Sequence, residues 1–271
     1  MRPKWLWSVR RELWEHRWVY VAPLLVGAVL TVGGTLHVTS FSAETFTATV
    51  IARDVSMMLD LLTRMLLVTG TVVAFVYCAE ALHGERRDRS ILFWKSVPVS
   101  DAVAVWAKAS VPLVLIPIVT VALLLVAQLV TRGLLTGSGV ELVGPLTSPG
   151  AAIAEACVTA LWQAPIYGWI LLVSGWARRA PLLWALLPMV SVTMIQRMMG
   201  AQPLIADVLS PRGPLRHWPR TGHWPNLADY YDMSALPART LLLDPALWVG
   251  AALAIVFILG ASRLRQRQRP L

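Results

Sequence analysis

Six times between Trp18 and Ser262 the chain runs for close to 20 residues with almost no charge, each run fenced by short basic connections or a loop. A hydrocarbon core about 30 Å thick takes about 20 apolar residues of helix to cross. Backbone groups in lipid must bond within their own segment, so runs of this kind fold as helices. The sequence therefore predicts an all-α polytopic membrane protein. Its six spans are Val19 to Val38, Leu61 to Glu80, Ala109 to Thr131, Ala156 to Ala177, Ala180 to Gln196 and Pro245 to Ser262. Arg64 enters the second, and the fifth is close to the lower length limit of about 17 residues. Pro112, Pro117, Pro165 and Pro188 are expected to kink their helices. With 14% charged residues, against roughly 25% in a soluble domain, residues 1–271 read as one membrane domain.

A secretory signal peptide is the first alternative. The uncharged run from Trp18 to Ala43 is 26 residues long and is preceded by Glu12 and Glu15, whereas a signal core has about 7 to 15 residues behind a basic segment. The net charge of +9 raises nucleic acid as a partner, but the basic residues cluster at the ends of apolar runs. There they meet anionic headgroups and set topology, so the partner surface is membrane lipid and no nucleic acid is expected. Arg2, Lys4, Arg10, Arg11 and Arg17 precede the first span. Arg86, Arg87, Arg89, Lys95 and Lys108 lie between the second and third, Arg178 and Arg179 between the fourth and fifth, and Arg263 to Arg269 end the chain. Basic residues in alternate loops put both termini in the cytoplasm. The long connection from Arg197 to Asp244 has five arginines but also four aspartates.

On a helical wheel of residues 1–18, Lys4, Ser8, Arg11, Glu12 and Glu15 share one side, while Leu6, Trp7, Leu13, Trp14 and Trp18 cover the other. Two readings fit: an amphipathic elbow helix in the inner headgroup layer, or a generic tryptophan-rich anchor. Cys78 and Cys157 fall in different spans, one near the inner end and one near the outer, so neither a disulfide nor a thiol metal framework is expected.

The passage "HGERRDRSILFWKSVPVSDAVAVWAKA", His83 to Ala109, joins the second span to the third. Glu85 and Arg89 have helical i,i+4 spacing. Asp88 or Ser90 suits the cap of a short helix over "ILFWKS" that Pro98 stops, and Ser100 with Asp101 suits the start of the next helix. The short helix offers Ile91, Leu92, Phe93 and Trp94 at the cytoplasmic surface. These form a knob for a groove on another protein, or they sink into the membrane interface.

This passage resembles the loop between the second and third helices in membrane subunits of type-2 ATP-binding-cassette (ABC) exporters. The shared pattern is glutamate-arginine, a polar run, a small apolar helix, then "P-x-S" and a lysine. The amphipathic start and the ending "LLLDPALWVGAALAIVFILGASRLRQRQ" are similar to the same family. Arg87 and Arg89 depart from its commoner form. The resemblance implies a permease subunit in the cytoplasmic (inner) membrane of a bacterium, with a coupling loop at 83–101. Its partners would be an ABC ATPase subunit, which binds ATP and Mg, and a second copy of the chain or a homologous permease. It implies that Glu85, Arg86, Asp88, Ser90, Phe93, Trp94 and Lys95 form or support the ATPase contact.

The chain itself has no P-loop: its three lysines, Lys4, Lys95 and Lys108, do not follow a glycine. No histidine precedes a glutamate, so the H-E-x-x-H zinc arrangement is absent. Ser138 in "TGSGV" and Ser174 in "SGW" read as turn or packing serines. His217 and His223 lack an evident third metal ligand. No enzyme activity and no cofactor or metal in this chain are expected. The proline- and aromatic-rich outer segment, 198–244, reads either as a cap over the exit of the pathway, as the resemblance implies, or as an ordinary ordered loop. Thr69, Thr71, Tyr167, Ser191, Thr193 and Gln196 are uncharged polar residues in the spans. They line a substrate route, as the resemblance implies, or bond neighbouring helices. The competing classes are an ion-driven carrier, disfavoured by span centres without ionisable groups, an immunity or assembly factor, and an intramembrane enzyme. The cargo is not legible.

Overall fold

The computed structural model describes residues 4–40, 48–88, 100–137, 149–199, 242–243 and 245–267. Among these, every regular element is helical. They are α1 (Lys4–Glu15), α2 (Trp18–Ser40), α3 (Ala48–Ala81), α4 (His83–Arg87) and α5 (Asp101–Ser110); then a π-helical turn (Val111–Leu115), α6 (Ile116–Gly137), α7 (Pro149–Trp176), α8 (Pro181–Met198) and α9 (Pro245–Arg267). Five stretches are long and apolar enough to cross a membrane: Trp18–His37, Leu61–Arg87, Asp101–Gly133, Ala156–Trp176 and Leu247–Arg267. These are the helices of a multi-pass membrane protein. The fifth expected run forms α8, whose 18 residues rise about 27 Å.

α3 begins well before Leu61 because its apolar stripe does. Val55, Leu59, Leu62 and Leu66 recur at helical spacing and are all buried. α2 and α3 form an antiparallel pair, and α6 packs against both, with Leu62, Leu66, Leu124 and Ala127 in one cluster. The main core gathers Tyr77, Val105, Ile170, Leu171 and Ala261 from α3, α5, α7 and α9. Leu25, Val29 and Leu36 on α2 point outward, as lipid-facing residues do.

α7 and α8 run through Pro165 and Pro188 without interruption. Pro112 and Pro117 have a larger effect. Neither can donate a helical hydrogen bond, and between them the helix widens, so that the Ile116 N–H reaches back five residues to Val111 O.

α7 and α9 make the most extensive helix contact. They run parallel: Gly250 faces Pro165, Gly168 faces Ala254 and Phe257, and Gly260 faces Leu172. A β-carbon on Gly168 would lie 3.0 Å from the Ala254 carbonyl oxygen, so the approach requires glycine there. α8 turns back along α7, with Trp184 edge-on to Trp176 and Trp169 Nε1 donating to Ala185 O. Ala180, in the connection, has a left-handed φ of 47°. Both cysteines are free, Cys78 buried and Cys157 exposed.

Candidate functional site

The polar stripe of α1 points into the protein. Ser8 and Glu12 are buried, whereas Trp7 and Trp14 on the opposite side are exposed. α1 packs on α5, and the reason is charge. Lys108, 1% exposed, donates to Glu12 Oε1 at 2.9 Å and Oε2 at 3.0 Å and lies 3.2 Å from Glu85 Oε1. Arg11 bonds the same Glu85 oxygen at 2.9 Å and Glu12 at 2.8 Å. Arg265 reaches Glu85 Oε2 at 2.9 Å and Asp101 at 3.2 Å. Tyr77 donates its hydroxyl to Glu12 Oε2 at 2.9 Å.

Glu85 is therefore the junction of α1, α4, α5 and α9. Burying ions costs several kcal/mol each, which only close pairing and additional hydrogen bonds offset. Within the network the buried Glu12 and Glu85 stand against the buried Lys108 and Arg265, while Arg86, also buried, is met by backbone carbonyls instead. Burial alone would push the Glu12 carboxyl up. Lys108 and then Arg11 outweigh it, helped by hydrogen bonds from Lys108 and Tyr77, and hold it below the ordinary carboxylate range. Burial raises Glu15 despite Arg11, and burial lowers His16, which lies edge-on to Tyr77 and Trp18. Glu12, Glu15 and His16 each place a possible metal-ligating atom within 4.8 Å of the others. Both Glu12 oxygens are engaged by Lys108, so the trio belongs to the ion network.

Arg86, next in sequence, turns the other way. It donates to Gly175 O at 2.7 Å and Ala177 O at 3.3 Å, satisfying carbonyls that the end of α7 leaves without helical partners. Ser174 completes the lock. Its hydroxyl donates to Ala79 O at 2.7 Å and accepts from the N–H groups of Leu82 and His83, spanning the break between α3 and α4. This serine is a packing residue, as read from sequence. Ser100 caps α5, accepting from Val103 N–H at 3.4 Å with Asp101 in the first turn, also as expected.

Of the residues that the resemblance assigns to a partner contact, Glu85 and Arg86 are buried and tie the root of the loop to four helices. Asp88 is exposed, bonded to Arg87 at 3.1 Å. Ser90, Phe93, Trp94 and Lys95 lie outside the described residues, as do Arg89 and the segment 200–241. The i,i+4 partner expected for Glu85 is thus not described, and its described partners come from α1, α5 and α9.

A second polar group lies deeper. Gln163 accepts hydrogen bonds from Tyr167 and, at 3.2 Å, from Thr71, joining two of the six route candidates. Thr69 bonds its own helix at Met65 O, and Ser191 is exposed. Gln196 is half-buried, and the Thr193 side chain lies outside the description. Sequence reasoning missed Gln163, a single amide in an apolar run, and counted Lys108 and Arg265 only as topology charges.

Searches against protein-family models, curated proteins and solved structures return no match.

Proposed function

We propose that the chain is the membrane subunit of an ATP-binding-cassette exporter, driven by ATP hydrolysed in a separate subunit bound at residues 83–101. One observation carries the reading. Glu85, at the root of that passage, is held by Arg11, Lys108 and Arg265 from three other elements. A push on the short apolar helix around Phe93 and Trp94 would therefore reach the elbow helix, the third span and the last span together, while Arg86 passes it to α7. The chain does no covalent chemistry in this scheme. Two copies, or this chain and a homologue, would pack side by side above two ATPases.

A sixth crossing, by α8, would complete the same arrangement. α7 and α9 are parallel neighbours, so the chain between them must return once to the other end, and α8 is the described helix that does so. The meeting of Arg11 and Arg265 at Glu85 favours an arrangement with both terminal segments at one end of the bundle, beside the basic connections. The basic bias makes this end cytoplasmic. The exposed tryptophan face of α1 then rests in the inner headgroup layer.

Purification of the tagged protein in mild detergent tests the reading. A stoichiometric ATPase is expected, lost when Phe93 and Trp94 are both replaced by Asp. A chain that always purifies without a nucleotide-binding subunit contradicts it, and would favour the immunity or assembly class.

A further inference from the structure

Four arginines gather where α7 ends. Arg86 is buried and spends one nitrogen on the Gly175 and Ala177 carbonyls, while its Nε has no partner. Arg178, exposed in the connection to α8, lies near enough for its charge to act on that of Arg86. Arg179 beside it and Arg87 on α4 are exposed as well. Among the described residues, the one carboxylate paired with any of the four is Asp88, on Arg87. Carbonyls offer a buried guanidinium partial charge where it needs a counter-ion, and a second guanidinium nearby deepens the deficit.

We propose that this corner binds one anionic phospholipid, its phosphate held by Arg178 and Arg179 beside Arg86 and its chains lying along the start of α8. The charge deficit calls for an anion, and the surroundings say which kind. Arg178 and Arg179 directly follow the spanning stretch Ala156–Trp176, so they stand at headgroup depth. Trp176 and Trp184 meet edge-on just below them, both exposed, as aromatic residues do at the boundary between headgroups and chains. Leu183 and Leu187, one turn apart on α8, continue the exposed surface into the apolar layer. Cation, indole and leucine in that order match a molecule with a negative head and hydrocarbon tails. A soluble phosphate would use the arginines alone, and an acidic protein surface would not use the leucines. The site requires only that the chain lie in a membrane, so it stands or falls independently of the exporter reading.

The test uses the full chain, delipidated in neutral detergent, with bound lipid counted by native mass spectrometry. Dioleoylphosphatidylglycerol and dioleoylphosphatidylcholine are titrated separately. The first phosphatidylglycerol is expected to bind about tenfold or more tighter than phosphatidylcholine. Arg178→Gln with Arg179→Gln, both at exposed positions, should weaken it about thirty-fold. Arg263→Gln with Arg267→Gln removes the same charge from exposed positions on α9 and should change it less than about threefold, since distant surface charges are screened. Trp176→Gln should weaken both lipids and tests the apolar half separately. Four results each overturn the proposal: no preference for phosphatidylglycerol, equal losses from the two arginine pairs, no effect of Trp176→Gln, or displacement of the lipid by glycerol phosphate, which would mark a site for free phosphate.

Discussion

Lys108→Met is the sharpest perturbation of the ion network. It removes the cation that holds both Glu12 oxygens at 2.9 and 3.0 Å and one Glu85 oxygen at 3.2 Å. Methionine fills nearly the same volume, so packing changes little and the effect is electrostatic. Glu12 is left at 2% and Glu85 at 7% side-chain exposure, with Arg11 between them, Tyr77 on Glu12 and Arg265 on Glu85. Breaking a buried pair from one side costs about 3–5 kcal/mol. For a chain of this size each kcal/mol moves Tm by roughly 2–4 °C, so a loss on the order of 10 °C is expected. Heating the detergent-solubilised protein and following the monodisperse fraction by size exclusion measures it. Lys108→Met combined with Glu12→Gln removes charge from both sides, and should recover at least about half of the loss. A single variant within about 1 kcal/mol of the parent, or a double variant no better than the single, would refute the claim that these charges depend on each other.

Three other outcomes follow from the same geometry. Gly168→Val places side-chain carbon on the Ala254 carbonyl, 3.0 Å from the β-carbon position; it should cost about 1–3 kcal/mol, and Ala254→Gly should restore little because the backbone itself is the obstacle. Ser174→Ala strips the Ala79 carbonyl and the Leu82 and His83 amides of their shared partner; about 1–3 kcal/mol is expected, with faster hydrogen exchange at Leu82 and His83. For pH, Glu12 has a folded pKa below its unfolded value. Its stabilising contribution is therefore complete above the unfolded carboxylate pKa and fades as pH falls through the depressed one. Glu12→Gln should remove this acid limb from a Tm-against-pH curve, and a curve unchanged by the substitution would contradict the assignment.

Much of the architecture was legible because lipid imposes it. Charge-free runs of spanning length, flanked by arginine, mark helices whatever their packing, and the stretches from Trp18, Leu61, Ala156 and Leu247 fell where the runs did. α8 is not among the five spanning stretches: its apolar part, Pro181–Gln196, is a shorter helix. The polar stripe of α1 was also visible. What covers it was not, because an amphipathic wheel shows that two faces differ and is silent on which one meets protein. Glu85 shows the same limit at a single residue. Local spacing offered Arg89, yet Arg11 lies 74 positions away, and no periodicity connects residues that the fold brings together at helix ends. Gln163 stood alone in an apolar run; Tyr167 lies one turn further on in the same helix, but only the convergence of α3 and α7 adds Thr71.

The most direct measurement places a photoreactive phenylalanine analogue at Trp94 and irradiates native membranes. If force enters this bundle through the passage rooted at Glu85, the crosslinked product contains an ATP-binding subunit, and the yield falls when Glu85→Gln loosens the root. A crosslink confined to lipid or to this chain alone, in membranes where the protein is active, would contradict the account.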